Sequence, residues 1–271
     1  MKVLITGANT GIGRVTAETL ARSGAHVMIA GRSKEKTDPV VRCITDEKKG
    51  SAEFLPLDLG DLDSVRACCK TLLDRGEPID VLIANAGLAG ARGTTKQGFE
   101  TTFGTNHLGH FLLVTQLLPL VRKAAAPSRI VVVSSKAHFR PKEIDWKALR
   151  ETTKTVSGFP EYGVSKLCNV LFVKELARGR AGKGVHSYAL HPGVVASDVW
   201  RKVPWPFRSL MKLRMKTTEE GAQTSLYCAT SPEVVEHDGR YYDDCKEVPC
   251  SKLADDPELA KTLWQKSEEW T

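Results

Sequence analysis

The fold of this chain is indicated by the stretch Lys2-Val-Leu-Ile-Thr-Gly7-Ala-Asn-Thr-Gly11-Ile-Gly13. A helical pattern over residues 15–23 follows it. A short apolar strand, a glycine-rich turn and a helix follow one another in the order used by nucleotide-binding α/β units. The glycines let the backbone approach a pyrophosphate, and the helix N-terminus offers free N–H groups. A turn that serves only chain reversal is the alternative, and the flanking strand and helix weigh against it.

The rest of the chain alternates short apolar strands with helical patterns. We expect strands near residues 2–6, 26–30, 52–57, 80–84, 129–133, 185–190 and 239–242. We expect helices near residues 13–23, 62–75, 101–123, 161–179, 218–229 and 256–268. The strands lack alternation of polar and apolar residues, as expected when helices cover both faces of a parallel sheet. The sequence predicts an α/β fold, a Rossmann-type doubly wound parallel sheet of about seven strands, with residues 1–271 as a single domain.

The end of the second strand indicates which dinucleotide binds. The strand closes with Gly31-Arg32-Ser33, and no Asp or Glu occurs at positions 26–34. An acidic residue here would bind the ribose 2′-hydroxyl of NAD, whereas arginine accommodates the 2′-phosphate of NADP. Arg32 therefore favours NADP(H), with NAD(H) and a solvated surface arginine left open as alternatives.

Tyr162 and Lys166 are four residues apart, so they share one face of a predicted helix. A nearby ammonium stabilises phenolate, which we expect to lower the Tyr162 pKa from about 10. A tyrosine so tuned can protonate a forming alkoxide or take the proton from an alcohol. The alternative is a half-buried helix aromatic beside a solvated surface lysine.

These motifs together resemble the short-chain dehydrogenase/reductase family over essentially the whole chain. The resemblance rests on five motifs in one order: Thr6-Gly7-x-x-x-Gly11-x-Gly13, Asn85-Ala86-Gly87, Ser135, Tyr162-x-x-x-Lys166 and Pro192-Gly193. The stretches 98–111 and 239–245 look like the retinol dehydrogenase-like branch. That resemblance implies an NADP(H)-dependent oxidoreductase that reduces lipophilic aldehydes, retinoids or related carbonyls, or runs in reverse.

The resemblance also implies a catalytic tetrad of Asn106, Ser135, Tyr162 and Lys166. Tyr162 would be the general acid/base, Ser135 would donate to the substrate oxygen, and Lys166 would bind the nicotinamide ribose. Ser134 is the alternative to Ser135 as the catalytic serine. Asn106 would hold a water chain to Lys166, and an amide simply bonded to a loop is its alternative.

Cofactor contacts follow from the same resemblance. Asp58 would lie against the adenine, with a helix-capping role as its alternative, and Val195 with Ser197 would meet the nicotinamide carboxamide. Family members often have threonine where Ser197 stands. The full predicted set is Gly7, Asn9, Thr10, Gly11, Ile12, Arg32, Asp58, Leu59, Asn85, Ala86, Gly87, Tyr162, Lys166, Val195 and Ser197.

Two further segments belong to the predicted site, whereas two histidines do not. Residues 136–160 should form a loop over the substrate side, and the apolar and basic segment 198–216 should form a lid. That lid leaves peripheral membrane contact open, although lysines facing water are favoured. His107 and His110 have no third ligand at plausible spacing, so we expect packing or polar contacts and no metal site.

Composition excludes several classes. The net charge of +7 comes from interspersed residues, so nucleic-acid binding is not expected. Seven cysteines without Cys-x-x-Cys argue against a disulfide framework and against zinc. We find no signal peptide and no run of about 18 apolar residues, which favours a cytoplasmic protein.

Three functions remain in competition. The favoured one is the NADPH-dependent carbonyl reductase or alcohol dehydrogenase. An NAD-linked dehydrogenase of the same fold and a non-catalytic dinucleotide-sensing relative are the alternatives, and the chain keeps the tyrosine and lysine that such relatives usually lose. A homodimer through the helices near 101–123 and 161–179 is open.

Overall fold

The computed structural model describes residues 1–125, 127–194 and 216–271. The strands within these ranges form one sheet in the order β3-β2-β1-β4-β5-β6-β7-β8. All neighbours are parallel except β8, which pairs antiparallel with β7. The strands are β1 Lys2–Thr6, β2 His26–Gly31, β3 Ser51–Pro56, β4 Val81–Ala84, β5 Ser128–Val133, β6 Val185–His191, β7 Arg240–Asp243 and β8 Lys246–Glu247.

Helices cover both faces of this sheet. A π-helical turn, Gly104–Leu108, joins the short helix α4 to the long helix α5. Among the described residues, no helix is long and apolar enough to cross a membrane. The α-helices are α1 Gly11–Arg22, α2 Lys34–Asp46, α3 Leu62–Arg75, α4 Thr101–Phe103, α5 Gly109–Lys123, α6 Phe159–Glu175, α7 Thr218–Thr230 and α8 Pro257–Trp270.

Successive residues of each central strand enter opposite core layers. In β1, Leu4 packs into the layer that contains α3, α5, α6 and α8. Its neighbours Val3 and Ile5 pack into the layer that contains α1, α2 and α7. Both faces of a strand are therefore buried, which explains why its sequence is apolar throughout. The predicted α/β fold class is confirmed.

Two elements were not predicted. Helix α2 contains Pro39 and many charged residues, and it buries only Thr37, Val40 and Ile44. This narrow apolar stripe becomes a helix because Ser33 caps it and the neighbouring elements supply a surface to pack against. Strand β8, the eighth strand, is two residues long and follows a two-residue turn with positive φ at Asp244 and Cys245.

Candidate active site

Thr6, at the end of β1, connects the glycine turn to the end of β4. Its hydroxyl accepts the backbone N–H groups of Asn85 at 3.0 Å and Ala86 at 2.9 Å. In return, the side-chain amide of Asn85 donates to the Thr6 carbonyl at 2.8 Å. The ends of these two adjacent strands are therefore fixed together at the carboxyl edge of the sheet, where this topology binds ligands.

Two glycines of the turn lie so close to Asn85 and Ala86 that a residue with a side chain would clash there. A Cβ on Gly7, whose φ is 69°, would lie 2.8 Å from the Ala86 Cβ. A Cβ on Gly13 would lie 2.4 Å from Asn85 Nδ2. The glycines thus let the turn pack directly on the end of β4.

The N-terminus of α1 suits an anion. Thr10, the residue before the helix, makes no side-chain capping hydrogen bond, and the first helical turn contains no acidic residue. Backbone N–H groups and the positive end of the helix dipole therefore face the turn, so the residues present fit a pyrophosphate. The other predicted residues of this turn and of the start of α1 are Asn9, Gly11 and Ile12.

Arg32 directly follows β2 and is exposed. It makes no ion pair with any other residue in the described ranges. Ser33, next to it, caps α2 by accepting the N–H of Lys36 at 3.3 Å. Arg32 thus lies at the end of β2, next to a residue whose capping hydrogen bond orders the start of α2.

Asp58 and Leu59 follow β3. Asp58 Oδ1 accepts the N–H of Gly60 at 2.9 Å, which orders the loop. The capping residue of α3 is Asp61 instead, so the alternative role predicted for Asp58 belongs to its neighbour. The side chain of Leu59 is buried in the core, and its backbone carbonyl packs against Gly109 of α5.

Asn106 lies in the π-helical turn and is completely buried. Its Nδ2 donates to the Leu88 carbonyl at 3.0 Å and to Ser165 Oγ at 3.1 Å, while its Oδ1 accepts the Leu88 N–H at 2.9 Å. The amide is thus bonded to the loop at Leu88, as in the alternative role given for Asn106, and it also bonds to Ser165 of α6. Its role in a water chain stays a prediction.

The two serines after β5 have different partners. Ser134 Oγ donates to the Lys166 carbonyl at 2.7 Å in the protein interior, so it anchors α6. Ser135 lies close enough to the Tyr162 phenol to lower its pKa, and Ser135 Oγ accepts the Ala137 N–H at 3.2 Å. Of the two, Ser135 is the one that faces the tyrosine.

Tyr162 and Lys166 face each other on α6. Lys166 Nζ lies 5.6 Å from the centre of the Tyr162 ring and donates to the Val133 carbonyl at 2.8 Å. Both side chains are buried. The Cβ position of Gly87 is 3.4 Å from Lys166 Nζ and 3.5 Å from Asn106 Oδ1, so this small residue lies directly beside both polar groups.

Burial shifts both titrations. It raises the Tyr162 pKa above its usual value, against the hydrogen bond from Ser135, which lowers it. Burial also lowers the pKa of Lys166 to about 7. The expectation that the Tyr162 pKa lies below its usual value is wrong for this structure, because burial disfavours the charged phenolate.

Two carboxylates fix the loop between β5 and α6. Glu100 accepts the Thr153 hydroxyl at 2.6 Å, and Glu161 accepts the Thr155 hydroxyl at 2.6 Å. Burial raises the pKa of Glu100. Val195, Ser197 and the predicted lid, apart from Lys216, lie outside the described residues.

The two histidines of α5 and the preceding turn make separate polar contacts. His107 Nε2 hydrogen-bonds Ser267 Oγ at 3.2 Å, whereas His110 hydrogen-bonds Thr6 and Asn106. Within the described ranges, no group of three His, Cys, Asp or Glu side chains could hold a metal ion. The cysteines described in the structure are all free thiols.

One more residue near the site was not predicted. His138 is completely buried. Its Nδ1 is 2.7 Å from the Ser135 carbonyl oxygen, and its Nε2 accepts the Ser251 N–H at 3.1 Å. Its ring also packs on Tyr241 with the centroids 4.6 Å apart. The contact to Ser251 spans 113 positions, and no local spacing in the sequence signals it.

Comparison with known proteins fixes the family. The family model described as short chain dehydrogenase matches residues 1–146, which is more than half of the chain. The chain belongs to the short-chain dehydrogenase family. Retinol dehydrogenase 14 from Mus musculus is 43% identical to this short-chain dehydrogenase, over 98% of this chain and 84% of its own length. Retinol dehydrogenase 12 from the same organism is 42% identical, with the same two shares.

A solved structure agrees with this membership. An uncharacterised protein from Mycobacterium paratuberculosis is 35% identical, with a TM-score of 0.79, and the match covers 99% of this chain and 92% of that one. The predicted resemblance to short-chain dehydrogenases of the retinol dehydrogenase-like branch is confirmed. The family fold binds a nicotinamide dinucleotide and its members act on alcohol or carbonyl groups, so the chain is an oxidoreductase.

Proposed function

We propose that this short-chain dehydrogenase uses NADP(H) to reduce a lipophilic aldehyde or ketone to the alcohol, or to catalyse the reverse oxidation. One observation carries the proposal: the side chains of Asn106, Ser135, Tyr162 and Lys166 converge at the carboxyl edge of the sheet beside the glycine turn. The names of the retinol dehydrogenase relatives support the substrate class, since retinol is a lipophilic alcohol.

In this proposal, NADPH supplies the hydride when it is bound. Ser135 donates a hydrogen bond to the substrate oxygen as negative charge develops there, and a donor fixed in advance needs little reorganisation. Tyr162 donates its proton to the same oxygen. The raised pKa of Tyr162 keeps the phenol protonated at neutral pH, which suits the reducing direction.

Lys166 and Asn106 would return a proton to Tyr162. Lys166, with a pKa near 7, exchanges a proton easily at neutral pH. Gly87 lies beside both the lysine amine and the Asn106 amide and adds no side chain between them. The backbone carbonyl of Val133 holds the amine in position without neutralising it.

Preference for the phosphorylated dinucleotide rests on Arg32. We expect Arg32→Ala to raise the Michaelis constant for NADPH by about tenfold or more and to leave the constant for NADH nearly unchanged. Lys34→Ala is the matched control, because Lys34 is a neighbouring exposed cation that pairs with Asp38 at 2.6 Å. Equal changes with both dinucleotides would exclude this role for Arg32.

Activity is tested by following NADPH oxidation with a panel of carbonyl compounds. The panel contains retinal, aliphatic and aromatic aldehydes, and steroid ketones. We expect the highest kcat/KM with the long apolar aldehydes. Turnover restricted to small polar carbonyls, or no turnover with any member, would contradict the proposed substrate class.

Three wider expectations stay predictions. The protein would be cytoplasmic and would not bind nucleic acid, and a homodimer through the helices near 101–123 and 161–179 stays open. The segment 198–216 would line the substrate side and could contact a membrane surface only peripherally.

A further inference from the structure

His110 lies between the glycine turn and the catalytic amide. Its Nε2 is 2.9 Å from the Thr6 hydroxyl, and its Nδ1 is 3.0 Å from the Asn106 backbone carbonyl. The ring is 1% exposed, and Thr6 is completely buried. Through these two bonds the histidine connects the end of β1 to the π-helical turn.

The geometry fixes the position of the ring proton. A carbonyl oxygen only accepts hydrogen bonds, so Nδ1 of His110 must carry the proton that points at Asn106. Nε2 is then an acceptor, and the Thr6 hydroxyl donates to it. That hydroxyl also accepts two backbone N–H groups, from Asn85 and Ala86. Every polar atom of this buried cluster therefore has a partner, provided that the imidazole is neutral.

The position of Asn106 gives these bonds a consequence for the site. A π-helical turn inserts one residue into the regular helix, and such turns occur often at functional sites. The backbone carbonyl of Asn106 is bonded to His110, while its side chain reaches Leu88 and Ser165. The orientation of the amide thus depends on where the histidine holds the turn.

We propose that His110 is a positioning residue that couples the dinucleotide-binding turn to the proton-transfer group. It holds Thr6, and hence the ends of β1 and β4, through Nε2, and it holds the Asn106 turn through Nδ1. This role rests on the proposed function, since it assumes that the turn binds the dinucleotide and that Asn106 serves proton transfer. The neutral imidazole that this role requires agrees with burial, which lowers the His110 pKa to about 4.

His107 shows that burial alone does not create this role. It lies three residues earlier, is equally buried, and contacts Ser267 of α8 and the rings of Phe103, Phe111 and Phe172. His107 also interacts with the side chain of Asn169, which donates to the same Val133 carbonyl as Lys166. It makes no side-chain bond to Thr6 or to the Asn106 carbonyl, so a substitution at His107 reports the cost of disturbing a buried histidine while leaving the two His110 bonds in place.

The tautomer can be measured without any assay of function. Ring-nitrogen NMR of the protein labelled with 15N-histidine distinguishes the Nδ1-protonated form from the Nε2-protonated form, and the His110 signals are assigned by their loss in His110→Asn. We expect the Nδ1-protonated neutral form at pH 7. An Nε2-protonated or cationic ring would overturn the proposal, and this readout stands even if the protein binds no NADPH.

Two substitutions separate the two bonds. Asn at position 110 can keep a donor near Nδ1, whereas Gln can keep an acceptor near Nε2. We expect His110→Asn to raise the Kd for NADPH by about tenfold with a smaller change in kcat, because it releases Thr6. We expect His110→Gln to lower kcat by about tenfold with a smaller change in Kd, because it releases Asn106.

The control variant is His107→Gln, and the Kd for NADPH, kcat and the melting temperature are measured for all variants. His107→Gln should lower the melting temperature and leave the Kd for NADPH and kcat within about twofold of the parent. The proposal holds if the Asn and Gln variants split Kd from kcat in opposite ways. It is overturned if both variants only lower the melting temperature, as His107→Gln is expected to do, or if each variant changes Kd and kcat by similar factors.

Discussion

At the scale of single residues, burial decides the chemistry of the candidate acid. Tyr162 and Lys166 are 8% and 3% exposed, so each favours its neutral form. The phenol stays protonated at neutral pH, and the amine, with a pKa of about 7, is charged in only part of the molecules. The polypeptide alone therefore prepares Tyr162 to give a proton, as a carbonyl reduction requires.

The two adjacent serines provide a residue-scale prediction. We expect Ser135→Ala to lower kcat by about a hundredfold with little loss of stability, because it removes a fixed donor to the substrate oxygen. We expect Ser134→Ala to lower the free energy of unfolding by about 1–3 kcal/mol, because the Lys166 carbonyl loses a buried hydrogen bond. Steady-state kinetics and urea denaturation of both variants check this, and interchanged effects would contradict the assignment.

At the scale of elements, strong hydrophobic patterns could be predicted and weak ones could not. The strands β1, β2, β4, β5 and β6 are buried on both faces, so their apolar sequences alone indicated them. Helix α2 and strand β8 bury too little apolar surface to leave a pattern, and they form only against neighbours already in place. The π-helical turn was predicted as ordinary helix, because no residue type marks the change of hydrogen bonding.

The same reasoning explains what was predicted of the candidate site. Glycines and residues at strand ends have recognisable spacing, so the turn, Asn85 and Tyr162 with Lys166 could be named in advance. His110 appeared in the sequence only as one of two histidines, and its contact with Thr6 spans 104 positions. Such long-range bonds depend on the completed sheet, and a single sequence contains no local signal for them.

The close packing of the glycine turn gives an element-scale prediction. Gly13→Ala would place a Cβ 2.4 Å from Asn85 Nδ2, so the turn must move away from β4. We expect a loss of about 1–3 kcal/mol in the free energy of unfolding, together with weaker NADPH binding. Gly31→Ala is the control, because the nearest atom to its Cβ would be 3.9 Å away. Denaturation of the two variants with similar midpoints would show that the packing is looser than described.

At the scale of the whole molecule, buried histidines connect stability to pH. Burial lowers the pKa of His107 to about 3, and those of His110 and His191 to about 4, from 6.5. The unfolded chain therefore binds more protons than the folded one below about pH 6.5, and stability falls as the pH falls from there toward 4. The raised pKa of Glu100 acts in the opposite direction.

This linkage predicts a measurable slope. We expect the free energy of unfolding to fall between pH 6.5 and pH 4.5, and each buried histidine to contribute up to about 1.4 kcal/mol per pH unit. His107→Gln should reduce the slope by about one such contribution, although the variant is less stable at pH 7. Urea denaturation of both proteins at several pH values checks this. An unchanged slope in the variant would show that His107 is not buried and neutral.

The role proposed for Tyr162, donation of the proton to the substrate oxygen, is tested by removing its hydroxyl. The parent and Tyr162→Phe are compared for NADPH oxidation with the best aldehyde, while NADPH binding and the melting temperature are recorded for both. We expect kcat of the variant to fall by at least about a hundredfold, with the Kd for NADPH nearly unchanged. If the phenylalanine variant binds NADPH and turns over as fast as the parent, Tyr162 is not the proton donor.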